Sequence, residues 1–174
     1  MLPQATVAVA LLAAGSTALG GDACKLEIGP SERFAQGQDV VVQRGERLTH
    51  VTALRGRVIV RGGAEVDEAM ALGGDVVLEA GARVNGSVMS VGGKVAIQGN
   101  AWVAENAVSL GGEVLRSPDA WVGGNVIALA VQVGDQTLAQ SISQKLGDLA
   151  RCKVVQVRVR APSQAAQPAE PKTL

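Results

Sequence analysis

Few side chains in this sequence carry the chemistry that catalysis needs. His50 is the only histidine among 174 residues. A histidine base, a serine or cysteine nucleophile activated by histidine, and a histidine-rich zinc site would all have to use this one residue. Its neighbours, in RLTHVTAL, form no catalytic motif. We therefore interpret His50 as a solvated corner residue and predict that the chain is not an enzyme, with no catalytic residue and no metal site.

Acidic residues and paired glycines are the other candidates for chemistry. We interpret Asp67, Glu68 and Glu105 as scattered solubilising side chains rather than as a general acid and base. A glycine pair could cradle a phosphate, but here the pair recurs at a regular interval with no Lys-Ser/Thr after it. The pairs that recur at this interval are at 73–74, 92–93 and 111–112. We therefore predict no cofactor.

The amino-acid composition favours thin, repetitive packing over a large mixed core. Hydrophobic residues make up 47% of the chain but aromatic residues only 2%, and there are 22 glycines. A length of 174 residues is enough for one domain. Lysine plus arginine equals aspartate plus glutamate at 16 each, so the net charge is zero. A neutral chain lacks the positive surface with which proteins bind nucleic acid, and we predict no nucleic-acid partner.

The sequence repeats itself. Three consecutive segments of nineteen residues, 71–89, 90–108 and 109–127, align without gaps, and each has a glycine pair at its third and fourth positions. Two segments of eighteen residues, 35–52 and 53–70, precede them. Repeats of this kind are typical of solenoids, in which each unit packs only on its neighbours.

Each repeat has a finer period of about six residues. Aliphatic residues recur at that interval, and a small or apolar residue usually lies two positions earlier. Residues two apart in a strand point to the same side, so each step predicts a short strand with two inward side chains and then a corner. We therefore predict an all-β fold, a single-stranded three-sided β-helix (solenoid) with about five coils of 18–19 residues. The period leaves its handedness open. The predicted inward residues, which Arg116 alone interrupts, are Val40, Val42, Leu48, Leu54, Val58, Val60, Ala64, Val66, Met70, Leu72, Val76, Leu78, Ala82, Val84, Met89, Val91, Val95, Ile97, Ala101, Val103, Val108, Leu110, Val114, Ala120 and Val122.

Equivalent residues of adjacent coils form ladders about 4.8 Å apart. One outward ladder places Arg83, Trp102 and Trp121 in register, and we predict that the two indole rings stack with the guanidinium beside them. This group is either an aromatic surface for a sugar ring or a partner, or a stack that satisfies itself. A charged ladder alternates in sign through Asp39, Arg57, Asp75, Lys94 and Glu113.

Another ladder is apolar although it should face outward. It contains Val41, Ile59, Val77, Ala96 and Leu115. An exposed apolar stripe requires a cover or a partner. Residues 137–152 have a helical pattern, and a helix of that length would span roughly the 24 Å of five coils. We predict that this C-terminal α-helix lies along the stripe; the alternative is a helix that covers only the last coil.

The path along the stripe would return the chain to the N-terminal end of the solenoid. The alternating segments 24–28 and 153–159 would then pair as short terminal strands, and Cys24 would meet Cys152. An even number of cysteines in an exported chain favours a disulfide. A helix over the last coil alone would leave the two cysteines too far apart to bridge. We predict the disulfide between Cys24 and Cys152.

The N-terminal twenty residues predict export. A short apolar run followed by small residues is typical of a secretory signal peptide, although no lysine or arginine precedes it. We predict cleavage near residues 20–23 and a secreted or periplasmic protein. The run is too short for a stable membrane span, and retention as an anchor is the alternative. The predicted divisions are a signal peptide (1–20), an N-terminal strand or cap (21–34), the β-helix (35–131), a C-terminal helix and strand (132–160) and a disordered tail (161–174).

The segments GDVVLEAGARVNGSV and VGGKVAIQGNAWV resemble the bactofilins and related polymer-forming proteins. The resemblance covers residues 35 to about 129 and rests on the repeat. It implies a right-handed, three-sided β-helix that associates end to end, without nucleotide, into filaments of a cytoskeletal or envelope scaffold. The export signal, the disulfide and the ordered C-terminal region depart from the family pattern. A cover over a solenoid end would put polymerisation in doubt.

The sequence thus predicts a non-enzymatic structural or scaffold protein of the cell envelope. Its expected partners are copies of itself, as an oligomer or polymer, or another envelope protein. One alternative is the left-handed β-helix of hexapeptide-repeat acyltransferases, which has the same six-residue period, but those enzymes use a histidine base and His50 is the only histidine. Another alternative is an adhesin or glycan-binding solenoid, with Trp102 and Trp121 as its site.

Overall fold

The computed structural model of the chain describes residues 25–130, 132–133, 136–137, 141 and 153–156. Almost all elements in that part of the chain are short β-strands. In order they are β1 (Lys25–Ile28), β2 (Glu32–Gln36), β3 (Val40–Val42), β4 (Arg47–Leu54), β5 (Val58–Val60), β6 (Glu65–Leu72), β7 (Val76–Leu78), β8 (Arg83–Val84), β9 (Val88–Val91), β10 (Val95–Ile97), β11 (Trp102–Val103), β12 (Ala107–Leu110), β13 (Val114–Arg116), β14 (Trp121–Val122), β15 (Val126–Leu129), β16 (Gln132–Val133), β17 (Gln136–Thr137) and β18 (Lys153–Gln156).

The strands β2 to β15 wind into a β-solenoid of about five turns, as the repeat predicts. Each turn adds one strand segment to each of three parallel stacks. The first stack is β3, β5, β7, β10 and β13. The second stack contains the first residues of β4 and β6, followed by β8, β11 and β14, and the third contains β2, the later residues of β4 and β6, β9, β12 and β15.

The turns change from 18 to 19 residues at one corner. Val84 pairs with Val66, 18 residues earlier, whereas Val88 pairs with Ala69, 19 residues earlier. The additional residue therefore lies between Val84 and Val88. Before this insertion, β4 and β6 run through the corner as continuous strands; after it, the same corner separates β8 from β9. The insertion leaves the parallel pairing on both sides intact.

The interior is filled by small aliphatic side chains from the first two stacks, as predicted. Valine, leucine and isoleucine of the first stack and alternating alanine and valine of the second are almost completely buried. The buried residues of these two stacks include Val58, Val60, Ala64, Val66, Val76, Leu78, Ala82, Val84, Val95, Ile97, Ala101 and Val103.

The third stack corrects the sequence prediction. Met70, Met89 and Val108 were expected to face inward, but they are half-exposed, and Leu72 and Leu110 lie at corners and are only partly buried. The inward residues of this stack are Val51, Ala53, Ala69, Ala71, Val88, Ser90, Ala107 and Ser109. Leu54 and Val91, which end their strands, are also buried, as predicted. The prediction was wrong because the corners differ in length. Two residues, 67–68, separate the inward Val66 and Ala69, whereas four, 72–75, separate Ala71 and Val76.

Two serines take inward positions in the third stack. The Ser90 hydroxyl donates a hydrogen bond to the Gly74 carbonyl, and the Ser109 hydroxyl donates one to the Gly93 carbonyl, both at 2.8 Å. These bonds satisfy both hydroxyls, so burying them carries no desolvation penalty for an unpaired polar group. They also tie the third stack to the glycine corners next to it.

The second glycine of each corner pair is required by close backbone approach. A Cβ atom on Gly93 would lie 2.3 Å from the Gly74 carbonyl oxygen, and one on Gly74 would lie 2.1 Å from that of Gly56. No side chain fits there without moving the backbone of the neighbouring turn. The repeated pairs are therefore explained by packing between turns.

Alanine at Gly93 should destabilise the solenoid much more than alanine at Gly99. We expect Gly93→Ala to lower the free energy of unfolding by about 1–3 kcal/mol, since the new methyl group meets backbone. Gly99 has no atom closer than 4.0 Å to its hypothetical Cβ and no positive φ. Gly99→Ala should therefore be neutral or stabilising by about 0.4–1 kcal/mol. Urea unfolding followed by circular dichroism measures both, and equal losses would contradict the packing argument.

The terminal strands pair with each other. β1 and β18 form a parallel two-stranded sheet with Lys25 opposite Lys153 and Ile28 opposite Gln156. This confirms that the C-terminal strand returns to the N-terminal strand. The segment between them differs from the prediction at its start. Gln136–Thr137 pairs antiparallel with Gln132–Val133, so the helix does not begin at Thr137.

Several predictions fall outside the described residues. Ser141 is helical, but the remainder of the predicted C-terminal helix is not described, and its position on the apolar stripe stays a prediction. The same holds for the signal peptide, the disordered tail, Cys24 and Cys152. A search restricted to the described residues found no helix long and apolar enough to cross a membrane.

The β1–β18 register supports the predicted disulfide between Cys24 and Cys152. Each cysteine directly precedes one member of the first pair, Lys25 and Lys153. Neighbouring parallel strands are about 4.8 Å apart, within the range of Cα separations that a disulfide bridges. We expect mass mapping of a non-reduced digest to contain the linked peptide, and Cys24→Ser to lower the free energy of unfolding by roughly 2–4 kcal/mol. Complete alkylation of both thiols without reductant would contradict the prediction.

Candidate functional site

His50 lies in a ladder between two carboxylates. Its Nδ1 is 3.3 Å from Glu32 Oε1, and its Nε2 is 3.7 Å from Glu68 Oε2. The two glutamates are its in-register neighbours on β2 and β6. Both ring nitrogens therefore face carboxylate oxygens from adjacent turns. Among the described residues, no serine or cysteine forms a hydrogen bond with this imidazole.

The acidic corner residues do not converge on one site. Asp67 accepts a hydrogen bond from the Asn85 side chain at 3.0 Å, and Glu105 accepts one from the Ser87 hydroxyl at 3.0 Å. Each bond joins a corner to the equivalent corner of the next turn. Within the described part of the chain, no group of three or more histidine, cysteine, aspartate or glutamate residues could hold a metal ion.

Trp102 and Trp121 form the predicted stack on the second stack of strands. Their ring centroids are 5.1 Å apart and the ring planes differ by 7°. The Arg83 guanidinium carbon lies 5.6 Å from the Trp102 ring centroid, within cation–π range. The rings face each other, so each covers one face of its neighbour. Only Trp121, at the last turn, has a large exposed fraction, 49%.

The predicted apolar stripe is present as an in-register ladder. Val41, Ile59, Val77, Ala96 and Leu115 are consecutive partners at the middle of the first-stack strands. The first four are half-buried and Leu115 is 47% exposed. What covers or contacts the stripe stays a prediction.

A second outward ladder, apolar except for Thr52, was missed by sequence reasoning. It lies on the outer face of the third stack, where the inward prediction was one residue out of phase. Its members are Phe34, Thr52, Met70, Met89, Val108 and Ile127. At its N-terminal end, Phe34 and Met70 line an open groove of about 420 Å³ together with Ile28 of β1. The terminal sheet therefore lies against this outer face.

The N-terminal end of the core is closed by an ion pair that sequence reasoning also missed. Arg33 is in register with the inward Val51, and Glu46 is one turn before the inward Ala64. The Arg33 guanidinium binds both Glu46 carboxylate oxygens at 3.0 Å. We call Arg33 and Glu46 the N-terminal cap. Glu46 is the sequence feature that could have revealed the cap. It occupies the position that inward alanines occupy in later turns, at 64, 82, 101 and 120.

The N-terminal cap also satisfies backbone groups. Arg33 Nη1 donates a hydrogen bond to the Val41 carbonyl at 2.8 Å, and the Gln43 amide donates one to Glu46 at 2.6 Å. Val41 lies in the middle of β3, the first strand of its stack. The cap therefore occupies hydrogen-bonding groups that a further strand would otherwise use.

The C-terminal end of the solenoid has no comparable cap in the described residues. We call residues 111–129, which contain β13, β14 and β15, the terminal rung. No described side chain forms a hydrogen bond with the backbone of these three strands, and each is the last strand of its stack. The exposed large apolar residues of the described chain are all here, namely Leu115, Trp121, Val126, Ile127 and Leu129.

Val126 shows that the core itself is open at this end. It is in register with the buried inward residues Ala107 and Val88, yet 46% of its surface is exposed. Arg116 is the one charged residue at an inward position of the terminal rung, and it is exposed. The terminal rung is therefore an apolar end surface bounded by three strand edges that pair with no other described strand. It is the best candidate for an interaction site.

Comparison of the chain with protein-family models, with curated proteins and with solved structures found no significant match.

Acid should weaken the charged ladders and the N-terminal cap. Hydrogen bonds from Arg33 and then from the Gln43 amide lower the pKa of Glu46. The Arg57 side chain and backbone lower the pKa of Asp39, while Asn85 and then Arg47 lower the pKa of Glu65. A lowered folded-state pKa stabilises the fold above the unfolded-state pKa, and this stabilisation is lost as pH falls.

We therefore expect the urea midpoint to fall as pH is lowered below about 4.5. Glu46→Gln should have a lower midpoint near neutral pH and a shallower decline, because one of the contributing carboxylates is gone. Urea titrations of both proteins across this range measure the difference. Parallel pH profiles would show that the cap contributes nothing to acid sensitivity.

Proposed function

We propose that this chain is a non-enzymatic structural protein of the cell envelope that associates with copies of itself through the end of its β-helix. The bactofilin-like repeat supports this proposal, and with it a right-handed, three-sided solenoid that associates with copies of itself. The polymers that the resemblance also implies would need a second end competent for association. Export to the periplasm is part of the proposal and rests on the predicted signal peptide. The predicted disulfide would require the oxidising compartment that export provides.

The terminal rung is the observation that carries the proposal. Edge strands present unpaired backbone donors and acceptors, which natural proteins usually block with charges, bulges or covering segments. Here the described edges of β13, β14 and β15 combine with exposed apolar side chains such as Val126 and Leu129. A partner with matching strand edges would satisfy both, and a second copy of the chain supplies them.

The geometry around His50 favours a non-enzymatic role. An acyltransferase of the hexapeptide-repeat class would need a histidine free to act as a base toward substrate. The two nitrogens of His50 instead face Glu32 and Glu68 on neighbouring turns. That alternative would also require a left-handed solenoid.

The tryptophan pair gives limited support to a glycan-binding role. A sugar ring would need an exposed indole face, but Trp102 and Trp121 are stacked on each other. Only the outer face of Trp121 is open, and it lies on the terminal rung. The same face would be covered by a second copy docked on that rung. We therefore assign Trp121 to the self-association surface. An envelope partner would bind the sides of the solenoid.

A lysine at Val126 should disrupt self-association. The substitution places a charge on the open core section, where docking would bury it without a partner, so we expect the dissociation constant to rise about tenfold or more. Ala80→Lys is the matched control, because Ala80 is an exposed corner residue far from the terminal rung in sequence. Sedimentation velocity over a concentration series measures both. Equal sedimentation of Val126→Lys and the parent protein would contradict a role for the terminal rung.

A further inference from the structure

We infer that the β-helix has one end competent for association, so that two copies meet terminal rung to terminal rung and assembly stops at a two-fold dimer. This inference rests on the proposed self-association and determines its geometry. It follows from the difference between the two ends of the core.

The N-terminal end disfavours docking because of its cap. Arg33 and Glu46 occupy two inward positions in the first turn of the solenoid, and their side chains are only about one-third exposed. A copy stacked on this end would bury the pair completely or break it. Removing a charged pair from water is costly, and breaking it would leave a buried charge without a partner. The cap also occupies the Val41 carbonyl and the Gln43 amide, two backbone groups at this end.

The terminal rung has the opposite character. Of its six inward positions, five are apolar, namely Val114, Ala120, Val122, Val126 and Ala128, and one is Arg116. The Arg116 side chain is long enough to direct its guanidinium to the rim while its methylenes stay on the apolar surface. The rung comprises nineteen residues, 111–129, close to the about 20 residues that each side of a stable interface engages.

One competent surface can only meet itself. Contacts between unlike ends generate open filaments, whereas a surface that binds its own copy gives a closed two-fold pair. A filament of this chain would need the N-terminal end as a second contact in every subunit. Across the two-fold axis, a strand that pairs with its own equivalent runs antiparallel, in contrast to the parallel pairs within the solenoid.

Mass photometry and sedimentation equilibrium of the protein purified after expression of the full chain test this inference. We expect the mass to rise with concentration to a plateau of twice the mass of the purified polypeptide, and tryptophan fluorescence to shift to shorter wavelength over the same range as Trp121 becomes covered. Filaments in negative stain would overturn the dimer while leaving self-association intact. A monomer at every concentration would overturn both.

A cap variant provides the second test. The variant replaces both cap residues, Arg33→Val and Glu46→Ala. Its first turn then has the same inward residue types as the next turn, where Val51 and Ala64 occupy the equivalent positions. Without the charged pair, we expect species larger than the dimer. Adding Val126→Lys to this variant should limit assembly to dimers. A folded double variant that remains a dimer would contradict the blocking role of the cap. If the double variant does not fold, the mass plateau of the parent protein still decides the inference.

Discussion

Parallel pairing between successive turns places each side chain against its equivalent one turn away, at a spacing of about 4.8 Å. This constraint determines what the interior can contain. A cross-section with six inward positions has room for valine, alanine and an occasional leucine or isoleucine, and these are the residues that are buried. Where a polar residue enters, as at Ser90, it must find a partner in the adjacent turn, and the Gly74 carbonyl supplies it.

The same constraint explains which parts of the fold could be predicted from sequence. The inward residues of the first two stacks follow one another at the regular six-residue interval, so periodicity locates them correctly even though the outward residues of the first stack are also apolar. In the third stack, Met70 and Val108 are apolar but outward, while Ala69 and Ala107 are small and inward. Hydrophobicity does not distinguish these faces, and the unequal corners shift the phase. Which of these residues faces inward depends on the contacts between neighbouring turns, and the sequence period does not describe those contacts.

The candidate site was harder to predict because it depends on where the repeat ends. A repeat pattern describes the middle of a solenoid, where every rung has two neighbours. Arg33 and Glu46 matter because they take inward positions on a rung with only one neighbour, and Val126 matters for the same reason at the other end. The tryptophan stack and the apolar stripe were predictable, since both are ladders within the repeat.

Separation of the cap from the terminal rung gives the solenoid an adjustable length. The corner at 85–87 accepts one additional residue without disturbing the pairing on either side, and each turn contacts only the turns next to it. A whole turn could be added or removed between the two ends at little cost to either. Each such change would move the ends apart or together by about 4.8 Å. The number of turns would therefore set the distance between the N-terminal cap and the end at which we propose that two copies meet.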